Sequence, residues 1–288
     1  MANRATAGRL PDFLGVGPPR GATSWLDAVL RGHVGLPRNI KEVDFFVANW
    51  HKGVEWYRNY FADCDPALPA GEICPSYFGS AQACARVAQL IPHCRIICTF
   101  RDPVAWLYSF YKLARRNVWT RGDFESYIPE GWNRHAANLK MWQDTFGREN
   151  VLVCIYDDLE RDPQAYLDPV CEFIGINRID VAHSAVAGQR INTFSRMPKN
   201  LYLARKARKL RDSLKRREAW GIINLLARAG LWRFCFERGA KFPPLDPVIE
   251  ARVRRRFAPE VATLEELIGR DLSQWKQAPP RLRATTGG

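Results

Sequence analysis

Five short apolar runs divide the first half of the chain, and the segments between them carry helical periodicity. The runs are DFLGV (12–16), EVDFF (42–46), GEIC (71–74), RIICTF (95–100) and VLVCIY (151–156). Helical patterns fall near residues 23–32, 53–62, 79–90, 103–116 and 131–146. Strands that alternate with helices specify a mostly parallel sheet with helices on both faces. RIICTF and VLVCIY are nearly unbroken apolar runs, as strands buried on both faces must be. The expectation is a three-layer α/β fold with a central sheet of about five strands.

After Pro163 the pattern turns to helices and loops. DPQAYLDPVCEFIGI reads as a helix with proline in its first turn, and FAPEVATLEELIGRDLSQW as an amphipathic helix stopped near Gly269. Residues 196–217 hold ten Lys or Arg against the single acid Asp212. No repeat, low-complexity tract or linker divides the chain. We therefore expect one domain over 1–288, with its core at about 12–275 and a helical C-terminal region.

The formal net charge of +13 favours an anionic partner, whether nucleic acid, anionic lipid or a charged small molecule. Helix-turn-helix, zinc-finger and RNP-type patterns are missing, so nucleic acid is not the expected partner. No apolar run approaches the ~20 residues that cross a bilayer, and MANRATAGRLPDF has no apolar signal core. The eight cysteines are scattered, without CxxC or zinc-type spacing. A cytoplasmic protein needing no metal is the expectation.

Within FLGVGPPRGATSWLDAVL (13–30), a strand breaks into Gly, Pro and small residues, then hydroxyls, then an amphipathic helix. Glycines let the backbone approach a ligand closely, and an open helix N-terminus favours an anion. Against the pattern GxxxxGK[ST], Gly17 takes the first glycine, Ala22 the second, and Thr23 the lysine position. The cation is Arg20 instead. A nucleotide kinase or NTPase remains the alternative, weakened by the missing lysine. What survives is a cradle for a 5′-phosphoryl group.

These residues resemble a family. PPRGATSW is similar to the 5′-phosphosulfate loop, Px[KR]xGTTxL, of sulfotransferases that use 3′-phosphoadenosine-5′-phosphosulfate (PAPS). The departure is Ala22 for Gly, with Gly21 beside it supplying flexibility. KEVDFF (41–46) resembles the KEPHFF segment of the heparan-sulfate and bacterial carbohydrate branch, and GEICPSYF (71–78) its GE(K/I)(S/T)PSY segment. FRDPVAWLYSFY (100–111) resembles the 3′-phosphate site RxPxxRxxSxY, and RGAKFPPLDP the late KGRKYPxMDP loop.

The resemblance implies a P-loop-type fold, with PAPS as sulfuryl donor and no metal. It places Arg20, Gly21, Ala22, Thr23, Ser24 and Trp25 around the 5′-phosphate. Arg101 and Ser109 take the 3′-phosphate, and Arg238, Gly239 and Lys241 close over the nucleotide. Arg20 doubles as a catalytic cation, and Glu42 matches the family's catalytic Glu. The acceptor, a sugar, glycolipid or other small metabolite, is then sulfated on a hydroxyl or amine. Lys41, Asp44, Tyr77, Trp132 and His135 are candidates for its cleft. The family often has His where Asp44 stands, Lys where Ile73 stands and Arg where Ala240 stands. Residues 205–236 join a cationic helix to an apolar, Trp-containing one, which suits peripheral membrane contact or a cover over the acceptor cleft.

Overall fold

A computed structural model describes residues 8–128, 134–184 and 196–277. Four strands form one sheet: β1 (Phe13–Gly15), β2 (Gly71–Ile73), β3 (Arg95–Phe100) and β4 (Val151–Ile155). All pairings are parallel, in the order β2-β1-β3-β4. The central strand β1 sets Gly15 opposite both Ile73 and Ile97. The expected fifth strand at 42–46 is absent. Asp44 adopts a left-handed backbone (φ 56°), and a wide helical turn begins at Phe45.

The helices of the first half are α1 (Thr23–Leu30), α2 (Val54–Arg58), α3 (Ala81–Leu90), α4 (Pro103–Arg116), α5 (Phe124–Tyr127) and α6 (His135–Phe146). They continue with α7 (Tyr156–Arg161), α8 (Pro163–Ile174), α9 (Leu201–Arg216), α10 (Trp220–Arg228), α11 (Leu231–Phe236) and α12 (Pro247–Ile268). Proline opens α4, α8 and α12, each behind an aspartate whose carboxylate accepts two backbone amides of the first turn. Gly175 and Gly269 end α8 and α12 in left-handed conformation.

The strands alternate between two cores, as a period of two requires. Leu14, Ile96, Cys98, Phe100 and Ile155 face one side with Leu139, Trp142, Val261 and Leu264. Phe13, Ile73, Ile97 and Cys154 face the other with Leu26, Leu30, Leu167 and Val170. Three layers result. At the carboxyl edge of the sheet, the chain leaves β1 into the Gly/Pro loop and β2 into the PSY turn. It leaves β3 into Arg101-Asp102 and β4 into Tyr156. The strand order reverses between β1 and β3, where an α/β sheet opens its ligand crevice.

Candidate active site

The Gly/Pro loop lies directly across the end of β3. A Cβ at Gly17 or Gly21 would overlap the backbone of Thr99, so both positions exclude a side chain. Gly21 serves this close approach and does not relieve Ala22, which itself adopts φ 78°. Arg20 is also left-handed (φ 74°). Such backbones cost about 1–2 kcal/mol for residues with a Cβ, and the loop holds two within three residues.

The loop's amides divide into two groups. Gly21 donates to the Pro18 carbonyl, while Trp25 and Leu26 both donate to that of Ala22. The amides of Ala22, Thr23 and Ser24 remain at the open first turn of α1, where helical geometry supplies no partner. Gly21 and Trp25, which the resemblance places around the 5′-phosphate, thus spend their amides on neighbouring carbonyls. The Trp25 ring is buried edge-on against Tyr166, 5.6 Å between centroids, and anchors α1 from behind.

Arg20 Nε donates to Ser109 Oγ at 2.9 Å. This bond joins two motifs separated by 89 residues, because β1 and β3 are neighbours and α4 rises from β3. Arg20 is mostly buried, and its pKa falls to about 10 through burial, then through Arg101 and Arg116 nearby. It stays charged at neutral pH. The Arg101 guanidinium stacks on the Tyr156 ring at 4.3 Å. Both arginines therefore belong to one positive surface.

The support for Arg101 comes from elements far away in sequence. Asp102 caps α4 with one oxygen and meets the buried Arg254 of α12 with the other at 2.7 Å. Arg254 also bonds Glu250 and the Trp275 carbonyl. Trp106 stands where the resembled pattern has Arg, and its Nε1 donates to the Pro19 carbonyl at 2.6 Å. That contact ties α4 to the loop.

The segment Lys41–Phe45 is held by side chains where a strand would use a ladder. Oε1 of Glu72 accepts the amides of Val43 (2.7 Å) and Asp44 (3.0 Å). Its Oε2 accepts the hydroxyls of Tyr57 (2.7 Å) and Tyr77 (2.9 Å), and Tyr77 Oη accepts the amide of Phe45 (2.8 Å). Glu72 is fully buried, and burial raises it to about 7 even though these hydrogen bonds favour the carboxylate. Three consecutive amides are satisfied in this way. Glu72 is a site residue that the sequence reading missed, although it lies within GEICPSYF.

Held by this turn, Lys41 reaches Thr23 Oγ1 at 3.4 Å and pairs with Glu42 at 2.7 Å. The Glu42 carboxylate, half exposed, is thereby brought beside the N-terminus of α1. Asp44 accepts from Ser76 Oγ at 2.6 Å. Its carboxyl is pushed up by burial and by Glu42, against the pull of Ser76 and Lys215.

Other cleft candidates sit elsewhere. Tyr77 is fully buried and spent on Glu72 and Phe45. His135 is buried against Trp106, Phe78 and Phe100, its pKa pushed down to about 4 by burial, so it packs as a neutral ring. Neither lines a cleft. Trp132 lies outside the described residues. Ile73, at the position of the family's Lys, is wholly inside the α1–α8 core.

The late loop crosses α4. Arg116 pairs with Glu237 at 2.8 Å, Tyr108 donates to the Pro243 carbonyl, and Tyr111 meets Phe242. Gly239 donates to the Met197 carbonyl at 2.7 Å and has no room for a Cβ beside Met197 and Pro198. Arg238 covers the Phe234 ring, and the backbone of Lys241 pairs antiparallel with that of Arg196. The 205–236 segment spans the same edge. Arg208 and Arg211 bond Asn117 at the end of α4, and Glu218 binds Lys52 at 2.7 Å and Trp56 at 3.2 Å.

A doubly phosphorylated nucleotide fits these residues on three grounds. The amides of Ala22, Thr23 and Ser24 stand together at the open N-terminus of α1. The Thr99 hydroxyl buried beneath the loop has no hydrogen-bond partner among the described residues. Arginines from two strand ends share one surface.

Comparison with known proteins agrees with this architecture. The sequence profile of the sulfotransferase domain matches residues 10–214. The mouse (Mus musculus) bifunctional heparan sulfate N-deacetylase/N-sulfotransferase 4 is 27% identical over 201 residues, covering 59% of this chain and 23% of its own. Mouse heparan sulfate glucosamine 3-O-sulfotransferase 3B1 is 29% identical over 189 residues, 59% of this chain and 47% of its own. The chain thus spans about a quarter to a half of the length of these relatives. The crystal structure of a sulfotransferase from Alicyclobacillus acidocaldarius superposes with a TM-score of 0.65 at 20% identity, covering 93% of this chain and all of that one.

Proposed function

The chain belongs to the sulfotransferase domain family, and on that premise we propose that it transfers a sulfuryl group from PAPS to a hydroxyl or amine of a sugar-containing acceptor. The observation that carries this reading is the Arg20–Ser109 hydrogen bond at 2.9 Å, which makes the two phosphate motifs one surface. The amides of residues 22–24 and Arg20 would hold the 5′-phosphate, with charge-assisted bonds and the end of α1 favouring negative charge there. Arg101 and Ser109 would take the 3′-phosphate, with Arg238, Gly239 and Lys241 arriving from the loop clamped to α4. When bound, PAPS supplies the sulfuryl group and a leaving phosphate.

This chain's own part is positioning and charge. Arg20 and the loop amides are fixed before reaction, so they stabilise charge that grows on the 5′-phosphate without reorganising. Glu42 is the group that receives the acceptor's proton, and Lys41 steers it toward Thr23. Two relatives named for heparan sulfate support a sugar acceptor. A kinase reading is not favoured, since Thr23 stands where such loops need lysine.

Thermal-shift titration tests the proposal. Adenosine 3′,5′-bisphosphate should raise the melting temperature at lower concentration than AMP or ATP; equal responses would count against it.

One surface supports a membrane partner. Lys206, Lys209 and Arg216 are exposed on α9 with Tyr202 and Leu210, Arg217 is exposed just past its end, and Ile222 and Leu225 are exposed on α10. Among the described residues no helix is long and apolar enough to cross a membrane. Peripheral contact with an anionic bilayer suits such a face. The chain should co-sediment with phosphatidylserine vesicles at low salt and be released at high salt; no sedimentation at either removes the idea. The eight cysteines, all free thiols, support a reducing compartment such as the cytoplasm.

A further inference from the structure

Helix α4 presents more positive charge to the site than its recognised motif contains. Ser109, whose hydroxyl meets Arg20, is followed on the same helical face by Lys112 and Arg116, three and seven residues on. Arg116 is neutralised by Glu237 at 2.8 Å. Lys112 is different. Its half-buried ammonium lies 4.9 Å over the Tyr108 ring, and among the described residues it makes no ion pair with a carboxylate. Burial, then Arg101 and Arg20, lower its pKa. Three like charges gathered on one surface repel one another, and a phosphate between them would relieve that repulsion.

We propose that Lys112 is a third ligand of the phosphate taken by Arg101 and Ser109, and that it sets the preference for a 3′,5′-bisphosphate over a 5′-monophosphate. This assignment rests on the nucleotide reading above. It also accounts for the cation missing at Trp106: the charge that the resembled motif carries on the first turn of α4 is supplied from the third.

Isothermal titration of wild type, Lys112→Gln and Lys112→Arg with adenosine 3′,5′-bisphosphate, 3′-AMP and 5′-AMP tests it. Lys112→Gln should weaken the bisphosphate and 3′-AMP by about tenfold or more, the range of a charge-assisted hydrogen bond. Its affinity for 5′-AMP should stay near wild type, and Lys112→Arg should keep most of the bisphosphate affinity. Unchanged bisphosphate binding by Lys112→Gln overturns the assignment, and so does an equal loss for 5′-AMP. Should Lys112→Gln melt early, Lys112→Met, which keeps the stem over Tyr108, serves the same comparison. A wild type indifferent to the 3′-phosphate removes the sulfotransferase reading and this inference together; the other outcomes bear on Lys112 alone.

Discussion

Two segments at the carboxyl edge of the sheet are built by opposite means. The Gly/Pro loop at 17–24 is made of backbone: glycines pressed on Thr99, two left-handed residues, and amides at an open helix end. The turn at 41–45 is made of side chains from elsewhere, with Glu72 and Tyr77 standing in for a neighbouring strand. A backbone-built site writes its requirements into its own sequence. A site held by remote side chains does not, and the five residues EVDFF look like any strand.

The comparison can be broken first at the loop. Gly17→Val forces a side chain into the Thr99 backbone, and we expect a loss of more than about 4 kcal/mol in denaturant unfolding. Bisphosphate binding should vanish with it. A stable variant with normal binding would mean the loop does not lie on β3.

Next in size is Glu72→Ala. It strands two amides and two hydroxyls, and should cost about 3–5 kcal/mol in the same assay. The milder Glu72→Gln separates the two regions: nucleotide affinity should persist while turnover falls, because only the 41–45 turn is loosened. If nucleotide binding fell as far as turnover, the two segments would not be independent.

Glu72 also gives the turn a pH dependence below neutrality. Burial raises its folded-state pKa from the ordinary 4.5 to about 7. Between those values the folded chain holds a proton that the unfolded chain releases, so Glu72's contribution is fullest below pH 4.5 and declines as pH rises toward 7. Wild type measured against Glu72→Gln should lose relative stability across that window, at a slope approaching about 1.4 kcal/mol per pH unit. A flat difference would place the carboxylate in a more polar setting.

The smallest effect belongs to Ala22→Gly. Glycine accepts φ 78° without a Cβ clash, so the variant should be about 1 kcal/mol more stable or better, with nucleotide affinity unchanged. Destabilisation would argue that Ala22 is not left-handed.

Legibility follows the same division. The runs at 12–16, 71–74, 95–100 and 151–156 are strands with ends shifted by a residue or two, and 103–116 is a helix at the expected bounds, because proline, aspartate and apolar period are local signals. Arg20, Arg101 and Ser109 are readable because motif residues at strand ends converge wherever the sheet is parallel. EVDFF misleads because its amides are taken by residues 28 to 32 positions away. Tyr77 and His135 look available as polar aromatics, yet one is spent on Glu72 and the other is sealed among rings. Arg254, which fixes Asp102 across 152 residues, carries no sequence signal at all.

The central claim is that one nucleotide bridges both positive ends of this surface. A crystal structure with adenosine 3′,5′-bisphosphate tests it most directly. The account predicts the 5′-phosphate on the amides of 22–24 with Arg20, and the 3′-phosphate on Arg101 and Ser109. A nucleotide seated elsewhere, or one with its 3′-phosphate turned to solvent away from Arg101, would contradict it.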